Sequence, residues 1–308
     1  MVNNRRKMDR FDMLTRFVET ARLGSFSAAA ALLGLPKSSI SQAVTNLEKQ
    51  LGTRLFNRST RSVSLTSDGE TFLPQSIALL SEWDALQSQF ITSADSVSGE
   101  LRIDMPSRFA TNILLPILGE FISTYPKITL RVSSVDRKVD LIKEGFDCVI
   151  RVGALADSSL VARRLLTYPI YNCVSPDYAT KWGIPQSLED LANHKLIDYS
   201  HTLSHKTPEF EFMKGGELHG VEMQSLLSVN STQAYFAACA SGLGIAQIPS
   251  VGVESELKEG KLIRVLPEFE AQAMPVNLLY PSRRQMPLRL KVFSEWLVDK
   301  LRENKKPC

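Results

Sequence analysis

The sequence lacks long hydrophobic segments. No stretch approaches the roughly 18 uninterrupted apolar residues that mark a membrane-spanning helix, so we expect no membrane partner. Residues 1–12 are basic and then acidic, without the apolar core of a secretory signal. A hydrophobic content of 44% is that of an ordinary globular chain. We therefore expect the protein to act in the cytoplasm.

Cysteine is scarce. The four cysteines, Cys148, Cys173, Cys239 and Cys308, lie far apart and form no C-x-x-C pair, so we expect free thiols. Cys148 begins the apolar run 148–150, which favours a small core residue. A redox-sensing pair of Cys148 with Cys173 is the alternative.

Motifs of catalysis and cofactor binding are also missing. The chain contains no G-x-S-x-G, H-E-x-x-H or P-loop sequence, and the glycine-rich run 215–220 does not fit a dinucleotide fingerprint. His201 and His205 have the i, i+4 spacing of metal ligands on a helix, but Thr207-Pro208 predicts a loop there. We expect no enzyme activity, no cofactor and no metal; a metal-dependent enzyme is the rival interpretation.

Positive charge is concentrated at the start of the chain. Residues 1–65 hold eleven basic and four acidic residues, a net charge of +7, within a total of +3. The remainder of the chain therefore carries −4. A basic first fifth on a slightly acidic body is typical of a polyanion-binding domain, although a solvated basic face without a ligand has the same charge.

The basic region predicts three helices and a hairpin. Apolar residues at helical spacing predict a helix over 9–22. Ser25 can cap a short alanine-rich helix that ends at Gly34. A third helix is predicted over 37–51, and two short strands around a polar turn follow within 55–65. This order predicts a winged helix-turn-helix.

The third predicted helix has a polar face without carboxylates. Phosphates flank the major groove on both sides, so a helix that enters the groove cannot present acids there. Gln42 can bond adenine with both ends of its amide, and hydroxyl groups can contact bases or phosphates. The residues predicted from this pattern to bind DNA are Ser38, Ser41, Gln42 and Thr45 on the helix, with Arg58 and Arg61 on the wing.

A long helix is predicted after the wing, and Thr66 or Ser67 can cap it. Its apolar residues repeat in steps of 4 and 3, which is the heptad pattern of a coiled coil. We expect a dimerisation helix; packing on its own domain is the alternative. The residues assigned to dimerisation are Phe72, Leu79, Trp83, Leu86 and Phe90.

Strands and helices alternate from Gly99 onward, which predicts an α/β domain with a mainly parallel sheet. The first lobe is predicted to hold strands near 101–105, 128–132 and 148–152 and helices near 113–123 and 139–144. Strands near 170–174, 195–199, 226–229 and 245–248 predict a second lobe, and a strand at 276–280 and a helix at 288–301 return to the first. Two such lobes place a ligand cleft between them.

These motifs resemble those of LysR-type transcription regulators along nearly the whole chain. The N-terminal resemblance rests on the segments 24–30, 35–41, 47–52 and 54–58. It implies base and phosphate contacts at Lys37, Ser38, Ser41, Gln42 and Arg61. Many members have arginine where Gln42 stands, so the base preference can differ. Pro36 also removes the usual side-chain cap from the third helix.

The C-terminal segments 140–147, 175–178 and 242–246 resemble the effector domain of the same family, which is similar to periplasmic solute-binding proteins. The resemblance implies a cleft that binds a small anionic or aromatic effector. Ser107 and Ser231 can serve as ligand donors or as ordinary helix caps. Arg108 and Arg151 can pair a ligand carboxylate or form structural ion pairs. The residues assigned to the effector are Ser107, Arg108, Phe109, Arg151, Ser175, Asn230 and Ser231.

The expected fold is mixed: a mainly helical winged helix-turn-helix, a long linker helix and a two-lobed α/β domain. The expected boundaries are 1–66 for the DNA-binding domain, 67–92 for the linker and 93–308 for the effector domain, with lobes at about 99–167 plus 268–308 and about 168–267. The expected partners are double-stranded promoter DNA, a small effector and the chain itself, as a homodimer or homotetramer. RNA polymerase is a further candidate partner. A periplasmic solute-binding protein is the other rival, but it leaves the basic N-terminal region unexplained.

Overall fold

The fold is that of a computed structural model, which describes residues 9–58, 63–88, 93, 96–155, 160–203, 207–251, 253–281 and 286–303. The chain divides into two compact units. The first contains residues 1–97, 140–145 and 283–291, and the second contains residues 98–139, 146–282 and 292–308. Within the described ranges, no helix is long and apolar enough to cross a membrane.

The main elements described in the first unit are α1 (Arg10–Leu23), α2 (Phe26–Leu33), α3 (Lys37–Leu51), the hairpin of β1 (Phe56–Arg58) and β2 (Val63–Leu65), and α4 (Ser67–Ser88). The side chain of Ser25 caps α2 by accepting a hydrogen bond from the amide of Ala28. Gly24, Gly34 and Gly52 end α1, α2 and α3 in the left-handed conformation. The predicted order of three helices and a wing is therefore present.

Aromatic side chains hold the first unit together. Phe17 of α1 is fully buried, and its ring lies 5.4 Å from that of Phe56 and 5.5 Å from that of Phe72. Phe11 stacks on Trp83 at a centroid distance of 4.8 Å. Phe72 and Trp83 both belong to α4, so the linker helix packs along α1 and completes this core. Tight packing of this kind makes large-to-small substitutions costly.

The second unit has two lobes. The first lobe contains β3 (Gly99–Met105), β4 (Ile128–Ser134), β5 (Cys148–Val152), β6 (Leu160–Tyr168) and β14 (Met274–Pro281), with α5 (Ser107–Phe109), a wider turn at Ala110–Leu114, α6 (Leu115–Thr124) and α10 (Leu288–Glu303). The second lobe contains β7 (Ile170–Val174), α7 (Pro176–Trp182), a 3₁₀ turn at Glu189–Asn193, β8 (Leu196–Tyr199), β9 (Glu209–Lys214), β10 (Glu217–Glu222), β11 (Ser225–Val229), α8 (Thr232–Ala240), β12 (Ala246–Pro249), α9 (Glu254–Lys258) and β13 (Ile263–Arg264).

The sheet of the first lobe has the strand order β4-β3-β5-β14-β6. Strand β3 runs parallel to β4 and β5, whereas β14 runs antiparallel to β5 and β6. The prediction of a mainly parallel sheet was therefore wrong for half of the pairings. The reason is topological, because β6 leaves this lobe and β14 returns from the second lobe beside it. The same antiparallel pair joins the two lobes at Tyr168 and Met274.

Two local predictions also differ from the structure. The helix predicted over 139–144 is a single hydrogen-bonded turn, in which Asp140 accepts from the amides of Lys143 and Glu144 and Gly145 follows at a φ of 69°. The hairpin of β9 and β10 was not predicted. Its two turn residues, Gly215 and Gly216, have φ values of 62° and 87°, which a two-residue hairpin turn with positive φ at both positions requires.

Candidate DNA interface and effector cleft

Helix α3 separates its apolar and polar faces. Ile40, Ala43, Val44 and Leu47 are buried against the rest of the first unit. On the other side, Lys37, Ser38, Gln42 and Lys49 are exposed, and Ser41 and Thr45 are half-buried. The five residues predicted on this helix to bind DNA therefore lie on its accessible polar side, and no carboxylate lies among them.

Glu48 is the one acidic residue of α3, and it is turned away from that polar face. Its carboxylate accepts hydrogen bonds from the amides of Leu55 and Phe56, at 2.9 Å and 3.2 Å. These amides lie where the chain enters the wing. The carboxylate thus fixes the junction of helix and wing, and its charge is directed at backbone donors rather than at the outer surface.

The start of α3 offers backbone donors. Pro36 precedes the helix and provides no side-chain cap for its first amides. The guanidinium of Arg16 on α1 donates to the hydroxyl of Ser39 at 3.0 Å and to its carbonyl at 3.3 Å, which holds this end of the helix in place. A helix N-terminus with an adjacent lysine, Lys37, favours a phosphate group.

Gln42 is positioned by its neighbour one turn later. Its Nε2 donates to Oδ1 of Asn46 at 2.8 Å on the exposed surface. The amide keeps its Oε1 acceptor and a second Nε2 hydrogen for another partner, and these are the two groups that adenine recognition uses. The hydrogen bond reduces the side-chain entropy that Gln42 would lose on binding.

The wing is described only in part. Strands β1 and β2 pair Phe56 with Leu65 and Arg58 with Val63. The side chain of Arg58 and the whole of Arg61 lie outside the described residues, so their DNA contacts stay predictions. The base of the wing is close-packed, because a Cβ added at Gly69 of α4 would collide with the carbonyl oxygen of Leu55.

The predicted dimerisation residues divide along α4. Phe72 packs on the first unit's core, as the alternative interpretation of this helix expected. Leu79, Trp83 and Leu86 are 47%, 39% and 46% exposed. Phe90 lies outside the described residues. The middle and later turns of α4 thus present an apolar surface. Exposed apolar surfaces of this kind often mark the place where a partner binds.

A carboxylate joins the two lobes of the second unit. Asp136, in the loop after β4, accepts hydrogen bonds from the amide and hydroxyl of Ser107 at 3.1 Å and 2.9 Å. It also accepts from the amide and hydroxyl of Thr232 at 2.7 Å and 3.1 Å. The hydroxyls of Ser107 and Thr232 lie 2.9 Å apart. Because Ser107 begins α5 and Thr232 begins α8, the carboxylate lies between one helix end from each lobe.

Arg108 forms a second connection between the lobes. Its guanidinium carbon lies 3.8 Å from the ring centroid of Phe236 on α8, and Nη2 lies 3.7 Å from the carboxylate of Glu256 on α9. The residue is only 9% exposed. Burial lowers the pKa of Arg108, and the charge of Glu256 opposes that shift. The residue predicted to meet a ligand carboxylate therefore pairs with a carboxylate of the protein.

The other predicted effector residues lie in different environments. Phe109 is 3% exposed and belongs to the core. Arg151 pairs with the fully buried Asp104 at 2.6 Å. Ser175 is 1% exposed and caps α7 by accepting from the amide of Tyr178. Asn230 is exposed, and Ser231 caps α8. The structure brings Ser107, Arg108 and the start of α8 together, whereas Arg151 bonds to Asp104 of β3 and Ser175 to the start of α7.

Three residues of this region were missed from the sequence: Asp136, Phe236 and Glu256. No local pattern distinguishes them, because Asp136 lies 96 residues before its partner Thr232, and Phe236 and Glu256 lie more than a hundred residues after their partner Arg108, so these contacts arise only through the fold. Tyr199 is a fourth neighbour. Burial first, and then the charge of Asp136, raise its pKa to about 12, so its hydroxyl stays protonated beside that carboxylate.

The cysteines and histidines do not form a reactive group in the described ranges. Cys148, Cys173 and Cys239 are free and buried, and burial raises the pKa of each thiol. Buried thiols of this kind are poor nucleophiles. His194 accepts or donates a hydrogen bond at 3.1 Å to the hydroxyl of Tyr178 inside the second lobe. No cluster of three potential metal ligands occurs among the described residues; His205 and Cys308 lie outside them.

Comparison with known families matches both parts of the chain. Residues 11–70 match the model described as bacterial regulatory helix-turn-helix protein, lysR family. Residues 94–302 match the model described as LysR substrate binding domain.

Similar proteins cover almost the whole chain. The uncharacterized HTH-type transcriptional regulator YhjC of Escherichia coli (strain K12) is 41% identical over 296 residues, covering 96% of this chain and 99% of that protein. The HTH-type transcriptional activator AaeR of the same strain is 34% identical, covering 95% and 94%. The solved structure of CrgA, a LysR-type transcriptional regulator from Neisseria meningitidis, superposes with a TM-score of 0.61 at 32% identity, covering 94% and 98%.

Proposed function

Because this chain belongs to the LysR family of bacterial transcriptional regulators, we propose that the polar face of α3 reads promoter DNA and that a small molecule in the interlobe cleft controls this binding. The family consists of DNA-binding regulators with an effector-binding domain and not of enzymes. The proposal assigns roles to particular residues of this chain. It places the protein in the cytoplasm, where promoter DNA is found.

The observation that carries the DNA-binding role is the exposed, carboxylate-free side of α3. Gln42 reads a base through its amide, and Ser38, Ser41 and Thr45 bond base edges or phosphates. Lys37 and the amides at the start of α3 neutralise a backbone phosphate. Arg58 and Arg61 on the wing grip the backbone or the minor groove. The inward orientation of Glu48 supports this assignment, because it turns the one carboxylate of α3 away from the face assigned to DNA.

The exposed apolar side chains of α4 support self-association in this proposal. Leu79, Trp83 and Leu86 present apolar surface on a helix that already packs on its own unit. We assign this surface, together with Phe90, to a homodimer, which can pair further into a homotetramer; Phe72 instead packs on the core of its own unit. Two recognition helices would then contact half-sites about 34 Å apart, or one helical turn of DNA. RNA polymerase is a further partner in this proposal.

The effector role rests on the meeting point of the lobes. Ser107 and Thr232 provide two amides and two hydroxyls at helix starts, which suit an anionic or carbonyl group of a ligand. Arg108 and Phe236 add a cationic and an aromatic surface beside them. Of the residues assigned from the sequence, Ser107, Arg108, Asn230 and Ser231 fit this place best. Phe109 in the core, Arg151 with Asp104 and Ser175 at the start of α7 have contacts of their own, so this proposal gives them no direct contact with the ligand.

The test is a footprint on the DNA upstream of the chain's own gene, with salt titration and with candidate carboxylate metabolites. We expect a protected, imperfectly palindromic site, and an affinity that falls steeply with salt. A metabolite that acts as effector changes the protected length or the affinity. Absence of salt-sensitive binding to any duplex would overturn the proposal. Gln75→Ala, at an exposed residue of α4, serves as the control for substitutions on α3, because it leaves the polar face of α3 unchanged.

A further inference from the structure

The four donors at the meeting point of the lobes already have an acceptor. Two amides and two hydroxyls, from Ser107 and Thr232, all donate to the carboxylate of Asp136. A carboxylate has about four lone-pair directions, so this set of donors saturates it. A second anion at the same donors would find no free hydrogen and would meet the negative charge of Asp136.

The bonds of Asp136 also join separate parts of the unit. Asp136 and Ser107 belong to the first lobe, and Thr232 begins α8 of the second lobe. Arg108, the next residue after Ser107, contacts Phe236 and Glu256 of the second lobe. These contacts all connect the same region of the first lobe, α5 and the loop at Asp136, to α8 and α9 of the second lobe, so a movement of the lobes, as in hinge closure, would affect them together.

We propose that Asp136 is a tethered competitor of the effector. Its carboxylate occupies the position of a ligand carboxylate between Ser107 and Thr232, holds the lobes together there, and must leave before an anionic effector binds. This inference rests on the proposed function, because it concerns the same cleft. It assigns the effector to carboxylates, and it names the residue that sets the threshold for their binding.

A tethered group competes at a high effective concentration, in the millimolar range or above for short connections. A small anion that offers nothing except its charge cannot displace Asp136 at ordinary concentrations. A carboxylate that also covers Arg108 and Phe236 gains further contact energy and can displace it. Asp136 therefore excludes inorganic anions and small carboxylates and admits larger, preferably aromatic ones.

The experiment uses full-length protein and acetate as the probe. The variants are Asp136→Ala, which vacates the position, and Asp136→Asn, which keeps its shape without the charge. Asp177→Ala removes an exposed carboxylate of the second lobe and is the matched control. Hydrogen exchange is followed in peptides that cover residues 105–112 and 230–238, with acetate or chloride at equal ionic strength.

In Asp136→Ala we expect exchange in both peptides to be faster by about tenfold, because each amide loses a charge-assisted hydrogen bond. Acetate should restore protection in Asp136→Ala by occupying the vacated position, and chloride should not. Acetate should have no effect on the wild type or on Asp177→Ala, and a smaller effect on Asp136→Asn. If Asp136→Ala does not fold, Asp136→Asn still tests the proposal, because hydrogen exchange in both peptides should also become faster in that variant.

Unchanged exchange in both Asp136 variants would overturn the proposal, and so would equal protection of wild type and Asp136→Ala by acetate. Binding of each variant to the footprinted duplex separates this result from the proposed function. If Asp136→Ala still binds DNA and ignores acetate, the tethered competitor is refuted and the regulator is not. If the wild type shows no salt-sensitive duplex binding, the proposed function itself fails.

Discussion

Glu48 in the first unit and Asp136 in the second are carboxylates that each accept two backbone amides, with different consequences. Glu48 in the first unit bonds the amides of Leu55 and Phe56, which follow it closely in the chain. Asp136 in the second unit bonds the amides of Ser107 and Thr232, which are 29 and 96 residues away and belong to different lobes. The first arrangement fixes the shape of one packed domain. The second joins the two lobes, so we expect its loss to loosen their connection without unfolding either lobe.

The difference extends to the ligand-facing residues. In the first unit, the side chains assigned to DNA stand on an accessible face, and their supporting bonds lie beneath or beside them. In the second unit, Ser107 and Arg108 are engaged with other residues of the same unit. In the proposed function, the polar face of α3 can meet DNA without rearrangement, whereas Ser107 and Thr232 would exchange their contacts with Asp136 for contacts with an effector.

The largest expected effects are on the stability of the two hydrophobic cores, one in each unit. Phe17→Ala and Phe121→Ala each remove a fully buried aromatic side chain, one from each unit. Each should lower the free energy of unfolding of its own unit by about 3–5 kcal/mol, through lost burial and the remaining cavity. Hydrogen exchange resolved by peptide would measure this, and Phe17→Ala should also abolish DNA binding. Equal loss of protection in both units from either variant would contradict two separate cores.

A smaller contrast concerns two helical glycines. A Cβ at Gly69 collides with the carbonyl of Leu55, whereas a Cβ at Gly119 of α6 meets no atom within 4 Å. Gly69→Ala should destabilise the first unit by about 1–3 kcal/mol through overpacking. Gly119→Ala should stabilise the second unit by up to about 1 kcal/mol, because alanine favours a helix. Urea denaturation measures both; stabilisation by Gly69→Ala would show that α4 does not pack closely on the wing.

Glu48→Gln tests the carboxylate of the first unit. The substitution keeps the shape but replaces a charged acceptor of two amides with a neutral one, so we expect a loss of about 1–2 kcal/mol in unfolding free energy. Circular dichroism of thermal unfolding is the measurement. The matched substitution Asp136→Asn should leave the melting of the lobes nearly unchanged while it loosens their connection. A larger loss of thermal stability in Asp136→Asn than in Glu48→Gln would contradict these different roles of the two carboxylates.

The smallest expected effect is a pH dependence inside the second lobe. Burial lowers the pKa of His194, against a weaker opposing effect of Asp190, so the unfolded chain binds this proton more readily than the folded lobe. The stability contributed by neutral His194 is present above about pH 6.5 and is lost as the pH falls below that value. Urea midpoints of the second unit at neutral and mildly acidic pH would detect it. His194→Gln should flatten the dependence, and an unchanged dependence in that variant would contradict this role of His194.

Much of the first unit follows from local patterns. The caps at Ser25 and Gly34, the apolar stripe from Ile40 to Leu47 and the polar side of α3 are set by neighbours one or two turns away. Local spacing therefore predicted the three helices, the wing and the accessible face of Gln42. It did not predict that Phe72 and Trp83 of the linker helix contact α1, because a heptad pattern does not distinguish a partner helix from the chain's own core.

The cleft depends on contacts distant in sequence, and local patterns predicted less of it. Serine before a helix indicates a cap and an anion site equally well, and an arginine indicates a ligand contact and an ion pair equally well. Ser107 and Arg108 lie where the two lobes meet, and their effector role stays a prediction, but their partners Asp136, Phe236 and Glu256 have no local signature. The parallel and antiparallel halves of the first lobe's sheet also follow from chain crossings that strand spacing does not encode.

The most direct test of the account is the sequence preference of the α3 face. Gln42→Ala, with Gln75→Ala as control, would be titrated by fluorescence anisotropy against the footprinted site and against versions with single base changes. We expect Gln42→Ala to lose about 1–3 kcal/mol of discrimination at one base pair of each half-site, with little change in binding to unrelated DNA. Unaltered base preference in Gln42→Ala, or an equal loss of affinity for every duplex, would contradict base reading by this helix.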